Sequence, residues 1–263
     1  MKRILTSWMF LLTAMPVLMA GDLTVDNLTV HQKAVFYGDI TTSSRSNDYG
    51  LQLYYDFNAD APVVPDISGN GHNGTVYGAV WTQESKTNGA YRFDGINDYI
   101  ESDNLGISGS STWSMSCWVK YTGPLTSADN IMSIGYQASS QVAALYRGLA
   151  NNLVSLNFWN SYNMDNTPCG VDFSTQFGHV VITYDGSIIR VYGQGVLRGS
   201  KQVSLNIADN PVRIGGRTGG YNGQYLNGIV DEAKIYARTL GSNEVYELYL
   251  KGYTPSSSSS MNV

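Results

Sequence analysis

The stretch that most constrains the fold is Gly228–Ala237, in which apolar and polar residues alternate. Successive side chains of a β-strand point to opposite faces, so Asp231 is predicted to lie in an apolar row with Ile229 and Ile235. An ionised carboxylate is costly to bury alone. Asp231 is therefore expected to have a cation, a group of backbone N–H donors or a metal ion as its partner. The adjacent Glu232 is expected on the opposite face.

Similar alternation recurs along the chain, most clearly in Thr112–Tyr121. His179–Tyr184 and Ile188–Tyr192 flank an Asp-Gly pair, which supplies the positive φ angles of a tight hairpin turn. With 28 glycines and only 14% charged residues, the composition also favours many short strands. Only one helix is predicted, near the C-terminus, with Ser242 as its cap. The sequence therefore predicts an all-β fold with antiparallel sheets.

The charge balance restricts the class of partner. The chain carries a formal net charge of −5, and its lysines and arginines form no cluster. Nucleic acid or an anionic membrane surface would require a basic patch, so neither is an expected partner.

Residues 1–20 have the pattern of a signal peptide: Lys2 and Arg3, then an apolar stretch, then small residues before Gly21. The alternative is a single N-terminal membrane anchor, although the apolar run is short and interrupted. We predict an exported protein, secreted or at the cell surface, whose mature chain has no transmembrane segment.

The rest of the chain divides into three predicted parts. Residues 21–50 form a short β-rich extension and linker, which either packs on the main domain, joins copies into a homo-oligomer through residues 21–40, or is a partly ordered spacer. Residues 51–250 form the main domain. Residues 251–263 form a Ser-rich tail without apolar content, which is expected to be disordered.

Two cysteines, Cys117 and Cys169, leave two alternatives open. They form one disulfide, as an oxidising compartment would allow, or they are two separate buried thiols.

Six motifs in order resemble the LamG-like jelly-roll domains of the concanavalin A-like lectin/glucanase superfamily. They are Leu51–Phe57, Asp66–Gly74, Tyr91–Ile100, Thr112–Val119, Gly178–Gly186 and Leu226–Leu240. The resemblance implies a two-sheet antiparallel jelly-roll sandwich that serves as a carbohydrate-binding or adhesion module of a secreted or surface protein.

The resemblance also implies one structural calcium ion between the Asp66–Gly74 loop and the Asp231 strand, with Asp66, Asn70 and Asp231 as ligands. Calcium prefers carboxylate, amide and carbonyl oxygens, which a glycine-rich turn presents well. The alternative is that Asp66 caps its own turn through backbone N–H groups and that Asp231 accepts hydrogen bonds from the same loop.

Sugar binding typically uses aromatic rings that stack on the sugar, together with amides that bind its hydroxyls. Two loops have this composition, and they make Trp159, Tyr162, Tyr221 and Tyr225 candidate ligand-binding residues. The alternative is that these rings only pack within the protein.

A glycosidase would require two carboxylates across a cleft, and the sequence offers no such pair. Asp231 and Glu232 are expected on opposite faces, and the three histidines lack metal-ligand spacing. We therefore predict a glycan-binding protein that is not an enzyme. The alternative is a structural surface or oligomeric scaffold protein without glycan binding, and a glycoside hydrolase is a distant third.

Overall fold

The computed structural model describes residues 48–124, 129–159, 163–219 and 223–252. The predicted signal peptide, the extension up to residue 47 and the tail beyond Gly252 lie outside the described residues. In chain order the described elements are β1 (Leu51–Tyr55), β2 (Val63–Val64), β3 (Gly74–Tyr77), β4 (Val80–Thr82), β5 (Ala90–Asp94), β6 (Tyr99–Asn104), β7 (Trp113–Tyr121), β8 (Asn130–Gly135), β9 (Val142–Arg147), β10 (Leu153–Asn157), β11 (Met164–Pro168), β12 (Gly178–Tyr184), β13 (Ile188–Gly193), β14 (Val196–Gln202), β15 (Pro211–Ile214), β16 (Asn227–Tyr236) and α1 (Ser242–Lys251).

The strands form two antiparallel sheets of eight strands each, which confirms the all-β jelly-roll prediction. Sheet A has the order β14-β13-β12-β7-β16-β5-β4, and β1 also pairs with β16. Sheet B has the order β11-β10-β9-β8-β15-β6-β3-β2. Strand β16 pairs with β7 along one side, whereas on its other side β5 pairs with Asn227–Val230 and β1 pairs with Ala233–Tyr236. The partner of β16 therefore changes at Asp231 and Glu232.

The main core lies between the two sheets. Phe93, Trp113 and Ile182 from sheet A and Ile100 and Ile214 from sheet B are fully buried in one apolar cluster. Each such side chain contributes about 1.5–3 kcal/mol relative to an exposed one. The alternation of Thr112–Tyr121 thus places its apolar row in this core. In β16, however, the core row is Val230, Ala233 and Ile235 without Ile229, because the register shifts after Asp231, so the predicted row of Ile229, Asp231 and Ile235 was wrong.

The predicted Asp-Gly hairpin is confirmed between β12 and β13. Gly186 has a φ of 96°, a left-handed conformation that glycine adopts without strain. The Asp185 carboxylate accepts the N–H groups of Ser187 at 3.0 Å and Ile188 at 2.8 Å. The turn is therefore specified by Asp185 and Gly186.

Helix α1 packs Val245 and Leu248 onto the outer face of sheet A, in an apolar cluster with Val181 and Tyr192. Its position confirms the predicted C-terminal helix, but the predicted cap was wrong. Gly241 precedes the first turn, and its N–H donates to the Glu244 carboxylate at 2.8 Å, so the side chain of the third helical residue does the capping. Among the described residues no helix is long and apolar enough to cross a membrane.

Candidate functional site

An open pocket of about 740 Å³ lies at one end of sheet B, where three chain reversals meet. The reversals are the β3–β4 turn, the β5–β6 turn and the loop between β15 and β16. The lining residues are Tyr77, Gly78, Ile96, Asn97, Tyr99, Gly223 and Tyr225. Three phenol rings, one carboxamide and two glycines therefore meet in one depression, a composition suited to a small polar ligand with apolar faces.

The phenol rings of the pocket stand in a row across the strands. Tyr77 and Tyr99 are stacked with their ring centroids 4.5 Å apart, and the Arg213 guanidinium lies 4.1 Å from the Tyr99 centroid. Because these two neighbours flank Tyr99 from strands on either side, the faces of the Tyr99 ring are occupied. Tyr77 is 43% exposed and ends the row, so its outer face is accessible to a ligand.

The turn that carries Ile96 and Asn97 is shaped by two carboxylates. Asp94 accepts the Ile96 N–H at 2.8 Å, and Asp98 accepts the Asp94 N–H at 3.0 Å. Burial, followed by the proximity of the Asp94 carboxylate, raises the pKa of Asp98 above its ordinary value. The Asp-Gly-Ile-Asn-Asp sequence thus folds on itself and leaves Ile96 73% exposed at the rim of the pocket.

The two aromatic loops predicted from the sequence meet in the structure. The Arg217 guanidinium lies 4.7 Å from the centroid of the Trp159 ring, and it donates to the carboxamide oxygen of Gln224 at 3.0 Å. Tyr225, the next residue, lines the pocket. Of the four candidate residues, Trp159 and Tyr225 are therefore placed on the same face of sheet B. Tyr162 and Tyr221 lie outside the described residues.

Sequence reasoning missed Tyr77, Tyr99, Ile96 and Asn97, because it searched loops for aromatic residues. A signal was available: Tyr77 and Tyr99 pair with each other across β3 and β6, at positions that face away from the core. An aromatic residue at the solvent-facing position of a half-buried strand is the pattern that would have found them.

The residues predicted to bind calcium are held by protein donors. Asp66 accepts the N–H groups of Tyr54, Ser68 and His72 at 2.9, 2.9 and 3.0 Å, so it caps its own loop as the alternative proposed. Burial alone would raise the pKa of Asp66, but these donors hold it below the ordinary value. The Asn70 side-chain N–H donates to the Leu51 carbonyl at 2.8 Å.

Asp231 is fully buried and takes its donors from a different loop. It accepts the N–H groups of Lys86 at 2.9 Å and Thr87 at 2.8 Å, and its other oxygen accepts the Glu232 N–H at 2.7 Å. The second half of the alternative to calcium binding, in which Asp231 accepts hydrogen bonds from the Asp66 loop, was therefore wrong. Burial raises the pKa of Asp231 to about 7.

These donors do not fit a calcium ion shared by Asp66 and Asp231. Both oxygens of each carboxylate already accept hydrogen bonds from the protein, and the two carboxylates are engaged by separate loops. Within the described part of the chain, no group of three His, Cys, Asp or Glu side chains could hold a metal. Calcium binding stays a prediction from the resemblance, which these contacts do not support.

The expected separation of Asp231 and Glu232 was also wrong. Glu232 has a φ of 53°, and the register of β16 on β7 shifts between Asp231 and Lys234. A bulge of this kind turns two successive side chains toward the same side. Glu232 is in turn bound by the Tyr54 hydroxyl at 2.7 Å and the Lys234 ammonium at 2.6 Å. The pair is thus part of a polar network on the outer side of sheet A.

Cys117 and Cys169 are free thiols, so the structure agrees with the second of the two alternatives. Cys117 points into the core from the middle of β7, whereas Cys169 packs against Gly193. Burial raises the pKa of both thiols to about 12, so neither forms a thiolate readily.

Comparison with known proteins agrees with this architecture. Residues 94–246, more than half of the chain, match the concanavalin A-like lectin/glucanases superfamily. No curated protein matches the chain. One similar solved structure is domain 4 of AbnA, an extracellular arabinanase from Geobacillus stearothermophilus, in complex with arabinotriose. It is 20% identical to this chain with a TM-score of 0.60, and the match covers 76% of this chain and 98% of that domain.

Two further solved structures share the fold over a smaller part of their own length. The binding domain of Paraclostridial mosquitocidal protein 1 is 17% identical with a TM-score of 0.60, covering 78% of this chain and 52% of that one. Trypanosoma rangeli sialidase is 16% identical with a TM-score of 0.61, covering 77% of this chain and 33% of that enzyme. At these identities the likeness shows the fold alone.

Proposed function

This chain belongs to the concanavalin A-like lectin/glucanase superfamily, and from that premise we propose that it is a carbohydrate-binding module whose ligand occupies the pocket at the end of sheet B. The observation that carries the proposal is the composition of that pocket, which is lined by three phenol rings and one carboxamide, Asn97. Rings stack on the apolar faces of sugars, and phenol and amide groups bind their hydroxyls.

The glycines that line the pocket also support a carbohydrate ligand. Gly78 has a φ of 76° and lies against the Asp98 carboxylate, so that a Cβ atom at this position would collide with it. Without side chains at Gly78 and Gly223, backbone carbonyl and N–H groups are accessible to a ligand. The fold is shared with an arabinanase domain that was solved with arabinotriose, which supports a glycan as the ligand class.

We propose binding without catalysis. Among the described residues that line the pocket there is no carboxylate, whereas glycoside hydrolysis uses two carboxyl groups that flank the bond to be cleaved. The neighbouring carboxylates Asp231 and Glu232 do not supply such a pair, because Asp231 is fully buried and Glu232 is ion-paired with Lys234.

We infer the cellular role from the N-terminal sequence. With the signal-peptide pattern of residues 1–20, the module acts outside the cell or at its surface, in attachment to a glycan. A structural calcium ion remains a prediction, which thermal unfolding in calcium and in chelator can test.

The pocket is tested by affinity electrophoresis of the mature chain through gels that contain soluble polysaccharides, including linear arabinan, xylan and β-glucan. We expect one polysaccharide to retard the wild type, and we expect retardation to fall in Tyr225→Ala and Asn97→Ala. Circular dichroism checks that both variants fold. If the folded wild type migrates unretarded in every gel, or if a retarded wild type and both variants migrate alike, the proposal is wrong.

A further inference from the structure

Trp159 is held in an unusual backbone conformation at the end of β10. Its φ is 57°, a left-handed conformation that is rare for a large side chain. The Asn157 carboxamide oxygen accepts the Trp159 N–H at 2.8 Å and stabilises this turn. The ring is nevertheless 47% exposed, so burial of the ring does not account for the conformation.

The support beneath the ring is a buried cation. Arg217 is only 1% exposed, and its guanidinium lies 4.7 Å from the Trp159 centroid and 5.8 Å from that of Tyr146. Its N–H groups reach the carboxamide oxygens of Gln224 at 3.0 Å and Asn157 at 3.4 Å. One face of the Trp159 ring is thus fixed on a guanidinium, and the exposure of the ring comes from its other side.

Trp159 lies outside the pocket but on the same side of sheet B, and its contact Arg217 also binds Gln224, which precedes Tyr225 at the near edge of the pocket. Tyr77 is on β3 and Trp159 follows β10, and the strands between them are β6, β15, β8 and β9. Five inter-strand steps place the far edge of the pocket, at Tyr77, roughly 24 Å from Trp159, whereas a sugar ring is about as wide as a single step. The segment Gly216–Thr218 lies between the two places, because the Ser133 hydroxyl donates to the Gly216 carbonyl at 3.1 Å and accepts the Thr218 N–H at 2.9 Å.

We propose that Trp159 is a second stacking subsite, positioned by Arg217, and that the ligand is a linear glycan chain of roughly four to six units that spans both places. The inference rests on the proposed function, since the first subsite is the pocket. It goes further in naming the ligand class, an extended chain instead of a terminal mono- or disaccharide. Trp159 contacts the chain, and Arg217 is a positioning residue that keeps the ring face outward.

The test uses isothermal titration of the mature chain with linear arabino-, xylo- and cello-oligosaccharides of two to six units. For the series that binds, we expect the hexasaccharide to bind about three- to ten-fold more tightly than the trisaccharide, the gain expected from one additional aromatic stacking contact. Trp159→Ala is expected to remove this gain in affinity. Its affinity for the trisaccharide is expected to stay within about two-fold of the wild-type value. Tyr246→Ala, which removes a similarly exposed tyrosine on helix α1, is the control and is expected to keep the gain.

Separate variants test whether Arg217 positions the Trp159 ring. Arg217→Met is expected to reduce the gain with chain length, and Arg217→Lys is expected to restore part of it because an ammonium still stacks beneath the ring. Acrylamide quenching of tryptophan fluorescence is measured on the same variants. In the wild type the hexasaccharide is expected to protect Trp159 from quenching, and a general loss of stability would not reproduce that protection.

Two results overturn the inference while leaving the pocket in place: equal affinity for the trisaccharide and hexasaccharide, or an unchanged gain in Trp159→Ala. If no oligosaccharide of any series binds, and no polysaccharide retards the protein in gels, both the inference and the proposed function are wrong. Loss of trisaccharide binding in folded Tyr225→Ala, together with loss of only the length-dependent gain in Trp159→Ala, supports both.

Discussion

Asp231 and Glu232 are neighbours in sequence, and both of their carboxylates lie 3.3 Å from the hydroxyl oxygen of a single residue, Thr87. In a regular strand their side chains would point in opposite directions. The bulge occurs where β16 exchanges one strand partner for another, and the loop with Lys86 and Thr87 fills the gap between those partners. The two carboxylates therefore fasten the β4–β5 loop to sheet A.

This arrangement predicts a pH-dependent stability. Burial raises the pKa of Asp231 from 3.8 to about 7, so between these values the folded state binds more protons than the unfolded state. The contribution of Asp231 to the free energy of unfolding in chelator is therefore expected to fall as the pH rises from about 4 to about 7, by roughly 1–4 kcal/mol, whereas His179, whose pKa is lowered to about 3 by burial, contributes a rise over the same interval. Glu232, Lys234 and Lys86 are the charged groups close to this carboxylate.

Urea denaturation at a series of pH values measures this dependence. Asp231→Asn lacks the titrating group but keeps His179, so its unfolding free energy is expected to be lower than that of the wild type at pH 4 and to approach it as the pH rises to 7. A difference between the two curves that stays constant from pH 4 to pH 7 would show that Asp231 does not titrate in this range.

The calcium prediction concerns the same carboxylate and is tested by thermal unfolding in calcium and in chelator. An ion bound by Asp66, Asn70 and Asp231 would raise the Tm of the wild type by several degrees at saturation and would have no effect in Asp66→Ala. An unchanged wild-type Tm would contradict calcium binding and leave the N–H and hydroxyl donors of the protein as the partners of these carboxylates.

The row of phenol rings predicts a selective loss of binding in Tyr77→Ala. Tyr77 is 43% exposed and lines the pocket, whereas Tyr246 is 48% exposed on helix α1 outside it. Removal of one stacking face is expected to weaken glycan affinity about three- to ten-fold. Tyr246→Ala is expected to bind like the wild type. Titration with the same oligosaccharide compares the two variants, and equal losses in both would assign the effect to general destabilisation.

The buried cysteines predict protected thiols. Because Cys117 and Cys169 are both fully buried and their thiol pKa values are raised to about 12, reaction with a thiol reagent at neutral pH is expected to be slow in native protein. In denaturant without reductant, both thiols are expected to react. If denatured, unreduced protein yielded no free thiol, the cysteines would be joined in the mature molecule.

The sequence predicted the sandwich because apolar and polar residues alternate along its strands. Residues such as Met115 and Cys117 alternate with serines, and this period of two is visible without any knowledge of strand partners. The Asp185-Gly186 turn was predictable for a similar reason, since its conformation depends on four adjacent residues.

The site was harder to predict, because its geometry depends on contacts between distant segments. Nothing local indicates that Glu232 adopts a positive φ, since the bulge arises where β5 and β1 meet along β16. The row of Tyr77, Tyr99 and Arg213 likewise depends on which strands are neighbours in sheet B. Trp159 and Tyr225 were found from composition, but their relation through Arg217 required the fold.

The central claim is that the pocket at the end of sheet B binds a glycan, and a glycan array probed with the mature chain tests it most directly. The array is probed with the wild type and with the Tyr77→Ala, Tyr225→Ala double variant, each in calcium and in chelator. The account predicts selective wild-type binding to a group of related linear glycans and its loss in the folded double variant. A folded wild type that binds no glycan, or a double variant that keeps the same selectivity, would contradict it and would favour the scaffold alternative.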